Sequence, residues 1–149
     1  MPTYICTVLT NRLSPEQKAR IASEITRVHN QLTGAATYFA QVIFQEVAVG
    51  NCFIGGKPLA DDQIFLHGQI RAGRSAIDRK RLLLSLHQVV AESSGAQSSS
   101  VWVYLVELPA RDMIEYGHVL PEPGDEAQWF DALPEQDRRW IYPELTDGC

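Results

Sequence analysis

Long apolar runs are missing from this chain, and neither a membrane-spanning helix nor a secretory leader is expected. Nowhere do about 18 apolar residues follow one another, the length a helix needs to cross a bilayer. The opening Met1-Pro2-Thr3-Tyr4 has no basic segment leading into an apolar stretch, so no secretory signal is expected. Cysteine is scarce: Cys6, Cys52 and Cys149 cannot all pair with one another, and they lack metal-ligand spacing. Three thiols without a signal fit a reducing compartment, and a cytoplasmic location is expected. Basic charge is in deficit as well. Thirteen Lys and Arg stand against 18 Asp and Glu, a net charge of −5, so neither nucleic acid nor a membrane surface is expected as a partner. Any anion site must be local.

What is present is the balance of an ordinary globule, with 45% apolar and 21% charged residues. A length of 149 residues fits one domain spanning the chain. Tyr4 to Leu9 is a short β-branched run and reads as a strand. Ser14, Pro15 and Gln17 form a capping box with proline at the first helical position. Ile21, Ile25, Val28 and Leu32 make the stripe of a helix lying on a sheet, and Gly34 ends it. Phe39 to Val47 reads as a second strand. The pattern then restarts about 60 residues on. Ile64 to Ile70 is a strand, Ser75 caps a helix with Asp78 at its third position, and Leu82, Leu83, Leu86, Val89 and Val90 give that helix a broad apolar face. Gly95 stops it, and Val101 to Leu108 is the last core strand. Between the halves, Cys52-Phe53-Ile54 sits between glycines as a hairpin or edge ribbon.

The expected fold is α/β, more narrowly α+β: a tandem β-α-β repeat over about residues 2–47 and 63–108. Its four-stranded mixed sheet carries both helices on one face, with right-handed crossovers. Residues 109–149 read as loop and short helix, with Trp129, Phe130 and Trp140 needing a surface to cover. A sheet covered on one side leaves the other bare, which predicts an oligomer.

Several residues could carry chemistry. Removal of Met1 would leave Pro2 as a free secondary amine at the head of a strand, with a reference pKa of roughly 7.7–8.0. By itself, Met-Pro is simply a permitted start. Arg71 and Arg74 stand where a strand ends and a helix begins, and two guanidiniums can each fork onto a carboxylate. A pair of solvated loop arginines is as good a local reading. His29 lies at the edge of the first helix's apolar stripe, where a satisfied boundary residue is the commoner case. His67 and His87 have no ligand-spaced neighbours, and Arg79-Lys80-Arg81 reads as a solvated helix face. Tyr104 is central in the last strand, where a buried phenol needs a partner. Glu115 falls in the loop beyond it, a position usually solvated.

Taken together, Pro2, His29, FAQVIFQE (39–46), RAGRS (71–75), VWVYLVELP (101–109) and EYGHVLPEPG (115–124) resemble the cis-3-chloroacrylic acid dehalogenase family. That family belongs to the tautomerase superfamily, alongside 4-oxalocrotonate tautomerase and macrophage migration inhibitory factor. The likeness runs from Pro2 to about Leu133, and the tail from Pro134 carries none of it. The resemblance implies a homotrimer of tandem β-α-β units that needs no metal or organic cofactor. It implies Pro2 as general acid, Arg71 and Arg74 on the substrate carboxylate with His29 assisting, and Glu115 with Tyr104 activating water. The implied reaction is hydration and dehalogenation of a cis-3-haloacrylate to malonate semialdehyde. Keto-enol tautomerisation of a 2-keto acid such as phenylpyruvate is the alternative, and a trimeric binding protein with a vestigial pocket is a third. The departure is His118, where the dehalogenases are expected to carry arginine.

Overall fold

The computed structural model describes residues 2–59 and 61–142; Met1 and Cys149 lie outside the described residues. Strand β1 (Thr3–Leu9) leads into helix α1 (Pro15–Thr33), and β2 (Gln41–Val47) returns parallel to β1. The ends of α1 are set locally. Ser14 Oγ accepts from the Gln17 N–H at 3.2 Å, and Gln17 Oε1 accepts from the Ser14 N–H at 2.9 Å, satisfying two orphan donors. Gly34 closes the helix at φ 69°, a left-handed conformation that glycine adopts without a Cβ penalty.

A ribbon of β3 (Phe53–Ile54) and β4 (Lys57–Pro58) follows, its turn made by Gly55 and Gly56, both at positive φ. The unit then repeats as β5 (Ile64–Arg71), α2 (Ala76–Ser94) and β6 (Val101–Leu108). Ser75 Oγ accepts from the Asp78 N–H at 3.0 Å at the head of α2, and Gly95 ends it. The sheet order is β2-β1-β5-β6, with β1 antiparallel to β5 and β5 parallel to β6. The four-stranded mixed sheet is thus the one expected.

Alternation decides the two faces. Tyr4, Cys6 and Val8 of β1 and Ile64, Leu66 and Ile70 of β5 are buried under Ile21 and Ile25 of α1 and Leu82, Leu86 and Val90 of α2. Gly68 permits this packing. A Cβ there would lie 2.5 Å from Tyr4 Cε1 and 2.8 Å from Leu105 Cδ2, so the Tyr4 ring lies across a strand with no side chain at that point. The opposite face carries a register row of Ile43, Ile5, His67 and Tyr104, with Trp102 and Val106 exposed on either side. Within the protomer, nothing described covers these apolar side chains.

The C-terminal part adds the hairpin β7 (Ile114–Glu115) and β8 (His118–Val119), then α3 (Glu126–Ala132) and α4 (Glu135–Ile141). It builds a second small core, in which Phe39, Ala110 and Leu120 are buried with Tyr116 and Trp129 against them. That core corrects the reading of Phe39 as strand. Residues Thr37–Phe39 form a 3-10 turn that drops the Phe39 ring into this cluster, and β2 starts two residues later, at Gln41. Trp129 also finds its cover inside the chain, 5.7 Å from the Phe39 ring, with its Nε1–H on Val119 O at 2.9 Å. Trp140 remains 72% exposed.

Candidate active site

Antiparallel pairing of β1 with β5 brings the head of β1 to the tail of β5, because Thr3 is opposite Gln69. Pro2 and Arg71 therefore share one end of the sheet. Pro2 is fully buried, and its carbonyl accepts from the Gln41 N–H at 3.0 Å, pinning it to the start of β2. Arg71 is the last residue of β5, opposite Leu108 of β6. The chain then turns through Gly73 at φ 111°, where an added Cβ would come within 3.2 Å of Pro123, and reaches Arg74 just before the Ser75 cap.

The two arginines differ. Arg71 is only 5% exposed, and its Nη groups are engaged by the protein itself: Nη1 donates to Pro121 O at 2.8 Å, and Nη2 donates to Glu126 Oε1. Arg74 is half-buried, and burial together with the charge of Arg71 lowers its pKa from the usual range. The Nε atoms of both are buried without a hydrogen-bond partner. The cleft in front of them, about 450 Å³, is lined by Gly34, Ala36, Phe39, Pro123 and Glu126.

His29 lies deeper than the boundary position expected from the sequence. It is buried with Ile21, Ile25 and Val28, and its Nδ1 is 2.7 Å from the Tyr4 hydroxyl. Burial, with Arg74 and Arg71 adding to it, pushes the His29 pKa down to about 3, so the ring is neutral near pH 7. Tyr4 is pushed the other way: burial raises its pKa, and the phenol stays protonated.

Glu115 sits in β7 at a half-buried position, lining a cleft of about 830 Å³ with Thr3, Phe39, Gln41, Leu108 and Tyr116. Phe39 lines both this cleft and that of the arginines. The hairpin turn places Tyr116 and Gly117 at positive φ, and Tyr116 Oη donates to Tyr38 O at 2.8 Å. His118 pairs in register with Glu115, and its Nε2 lies 2.7 Å from Asp137 Oδ2 of α4.

Tyr104 is the exception, and the expectation of a buried phenol is corrected. It is 56% exposed on the open face of the sheet, edge-on to Phe65 at 5.0 Å. There it lines a separate hollow of about 310 Å³ with Trp102 and Phe53. From Val101 to Val106 the strand is so evenly apolar that alternation in the sequence could not tell its two faces apart. One chain thus gathers Pro2, His29, Arg71 and Arg74 at one sheet end with Glu115 in the adjoining cleft, and leaves Tyr104 elsewhere. Glu126, Asp137 and Tyr4 had no local signal in the sequence, since each acts through a partner distant along the chain. Arg79 of the basic run pairs with Glu107 at 2.5 Å, and His87 lies 2.9 Å from Ser98 O. Among the described residues, no three His, Cys, Asp or Glu side chains come together as metal ligands, and no helix is long and apolar enough to cross a membrane.

A tandem β-α-β protomer with a proline at the head of its first strand and arginines at the tail of the third core strand is a tautomerase-type fold. A family model described as "Putative oxalocrotonate tautomerase enzyme" matches residues 1–132. The crystal structure of N1, a member of the cis-3-chloroacrylic acid dehalogenase family, is similar with a TM-score of 0.89 and 32% identity, over 95% of this chain and 99% of that one. Native Ps01740 is similar with a TM-score of 0.72 and 32% identity, over 76% of this chain and 99% of that one. A fused 4-OT described as a symmetric trimer shares the fold, with a TM-score of 0.68 and 23% identity over 74% and 89% of the two chains. No curated protein matches the chain. The chain belongs to the tautomerase superfamily and, within it, to the cis-3-chloroacrylic acid dehalogenase family.

Proposed function

We propose that the protein is an enzyme that hydrates a small 3-substituted acrylate, such as cis-3-chloroacrylate, without a cofactor. The observation that carries this reading is the meeting of Pro2 and Arg71 at one sheet end beside the cleft that holds Glu115. Arg71 and Arg74 hold the carboxylate, with His29 assisting, and stabilise the enediolate-like charge that develops on it. Glu115 takes a proton from water, whose oxygen adds to C-3, and the Pro2 ammonium gives a proton to C-2. The resulting 3-chloro-3-hydroxy acid loses chloride and a proton to become malonate semialdehyde.

Tyr104, facing away from its own site, joins Glu115 only from a neighbouring copy of the chain. A homotrimer is therefore part of the proposal. Supporting it are the uncovered apolar sheet face and the likeness to trimeric fused 4-OT. Free thiols at Cys6 and Cys52 accord with a cytoplasmic setting.

A second reading rests on the burial of Pro2 beside two arginines, both of which favour a neutral amine. Neutral Pro2 would act as a base and move a proton between carbon and oxygen of a 2-keto acid such as phenylpyruvate. Proton NMR of the untagged protein with cis-3-chloroacrylate, propiolate and phenylenolpyruvate separates the two. Malonate semialdehyde from the first two supports hydration; ketonisation of the third alone refutes it. The pH profiles differ too, since an acid Pro2 loses activity as pH rises through its pKa and a base Pro2 gains it. Retention of Met1 or an N-terminal tag abolishes either activity, because the amine becomes an amide.

A further inference from the structure

We propose that Glu126 sets the charge class of the substrate, making this a site for one carboxylate that discriminates against dicarboxylates. The inference rests on the reading of Arg71 and Arg74 as the carboxylate site and assigns a specificity role to a residue of α3. Glu126 is ionised: burial opposes its charge, but the Arg71 hydrogen bond and the Gly124 N–H, 2.8 Å from Oε2, outweigh that and lower its pKa. Its carboxylate takes Arg71 Nη2, while Pro121 O takes Nη1. What remains unpaired at the two arginines are both buried Nε–H donors and, on the half-buried Arg74, its Nη groups as well. Leaving such charged donors unsatisfied is costly, and the Arg74 guanidinium, which no described carboxylate pairs with, offers the fork that takes the two oxygens of one carboxylate.

The charges agree with that count. Arg71 and Arg74 bring two positive charges and Glu126 removes one. His29 is neutral, and Glu107 is paired with Arg79. Asp78, exposed at the head of α2 and held by the Ser75 hydroxyl at 2.7 Å, is the weakest of the charges acting on Arg74 and is left to solvent. Pro2 and Glu115 carry opposite signs in the proposed mechanism and leave the balance unchanged. One net positive charge suits a monoanion, and a second carboxylate near the arginines would meet Glu126.

The test measures binding of acrylate and fumarate to the full-length protein by titration calorimetry, for wild type, E126Q and E126A. E126D serves as the charge-conserving control, and thermal melts establish folding. The wild type and E126D should prefer acrylate. Either neutral variant should shift the preference toward fumarate by about tenfold or more, the size of one charge-assisted contact. An unchanged ratio in whichever neutral variant folds would overturn the proposal. So would equal tightening of both ligands, which would make Glu126 an occupant that substrate simply displaces. Absence of wild-type turnover alongside a shifted ratio would sink the reaction assignment alone and leave the role of Glu126 standing.

Discussion

The Tyr4 hydroxyl lies 2.7 Å from Nδ1 of His29 in the core between sheet and helices, and neither group is charged near pH 7. With the phenol protonated and donating to Nδ1, the imidazole carries its own proton on Nε2, the tautomer that can donate to a carboxylate. Tyr4→Phe removes that donor and strands a buried acceptor, so it should lower stability by about 1–3 kcal/mol in urea melts. It should also weaken carboxylate binding.

The same pair makes folding sensitive to acid. His29 titrates at about 3 in the folded chain against roughly 6.5 when unfolded, so the unfolded state binds its proton first as pH falls. Stability contributed by the neutral ring is present above pH 6.5 and is lost progressively toward pH 3. Between pH 7 and 4.5 the loss should be on the order of 2–3 kcal/mol greater for wild type than for His29→Gln. Parallel pH profiles of the two proteins in urea melts would refute the assignment.

Gly68→Ala should destabilise the fold by about 1–3 kcal/mol, because the new methyl meets the Tyr4 ring at 2.5 Å and the Leu105 side chain at 2.8 Å. The Tyr4 ring is held by its bond to His29, so the strain should also reach the site. Calorimetry showing an unchanged Tm would mean that the sheet relaxes freely there.

On the open sheet face, Val106→Asp places a charge where the proposed trimer buries apolar surface. Light scattering should return three protomer masses for wild type and a smaller species for the variant. A wild-type monomer at micromolar concentration would remove the route by which Tyr104 reaches Glu115.

Asp137→Ala tests how α4 holds the hairpin of Glu115. The His118–Asp137 pair is partly exposed, so its loss should change stability by only about 0–1 kcal/mol. Hydrogen exchange at residues 114–119 should quicken, and kcat should fall with KM little changed. Unaltered exchange across the hairpin would show that Trp129 and the Phe39 core suffice to hold it.

Much of this protein was legible because its signals are local. Ser14 and Gln17 start α1 and Gly34 ends it; Ser75 and Gly95 do the same for α2, since caps act over three or four residues. The repeat of strand, helix and strand, with one face left bare, followed from apolar periodicity. Phe39 misled because its aromatic ring continues an apolar run, and the core that draws it out of the strand is built from residues 110 to 129. Tyr104 misled because the residues on both sides of it, Trp102, Val103, Leu105 and Val106, are apolar, so only the placement of the helices decides which face it takes.

The sequence by itself determined the elements, their order and the positions of Pro2, His29, Arg71, Arg74 and Glu115 along them. Tertiary structure alone decided that Arg71 reaches across 55 positions to Glu126, that His118 turns to Asp137, and that Tyr104 faces the open side of the sheet. Caps and periodicities are properties of neighbours and are written in spacing. Pairings across a sheet end arise only when separate elements pack, and their energies depend on burial and geometry that spacing does not encode.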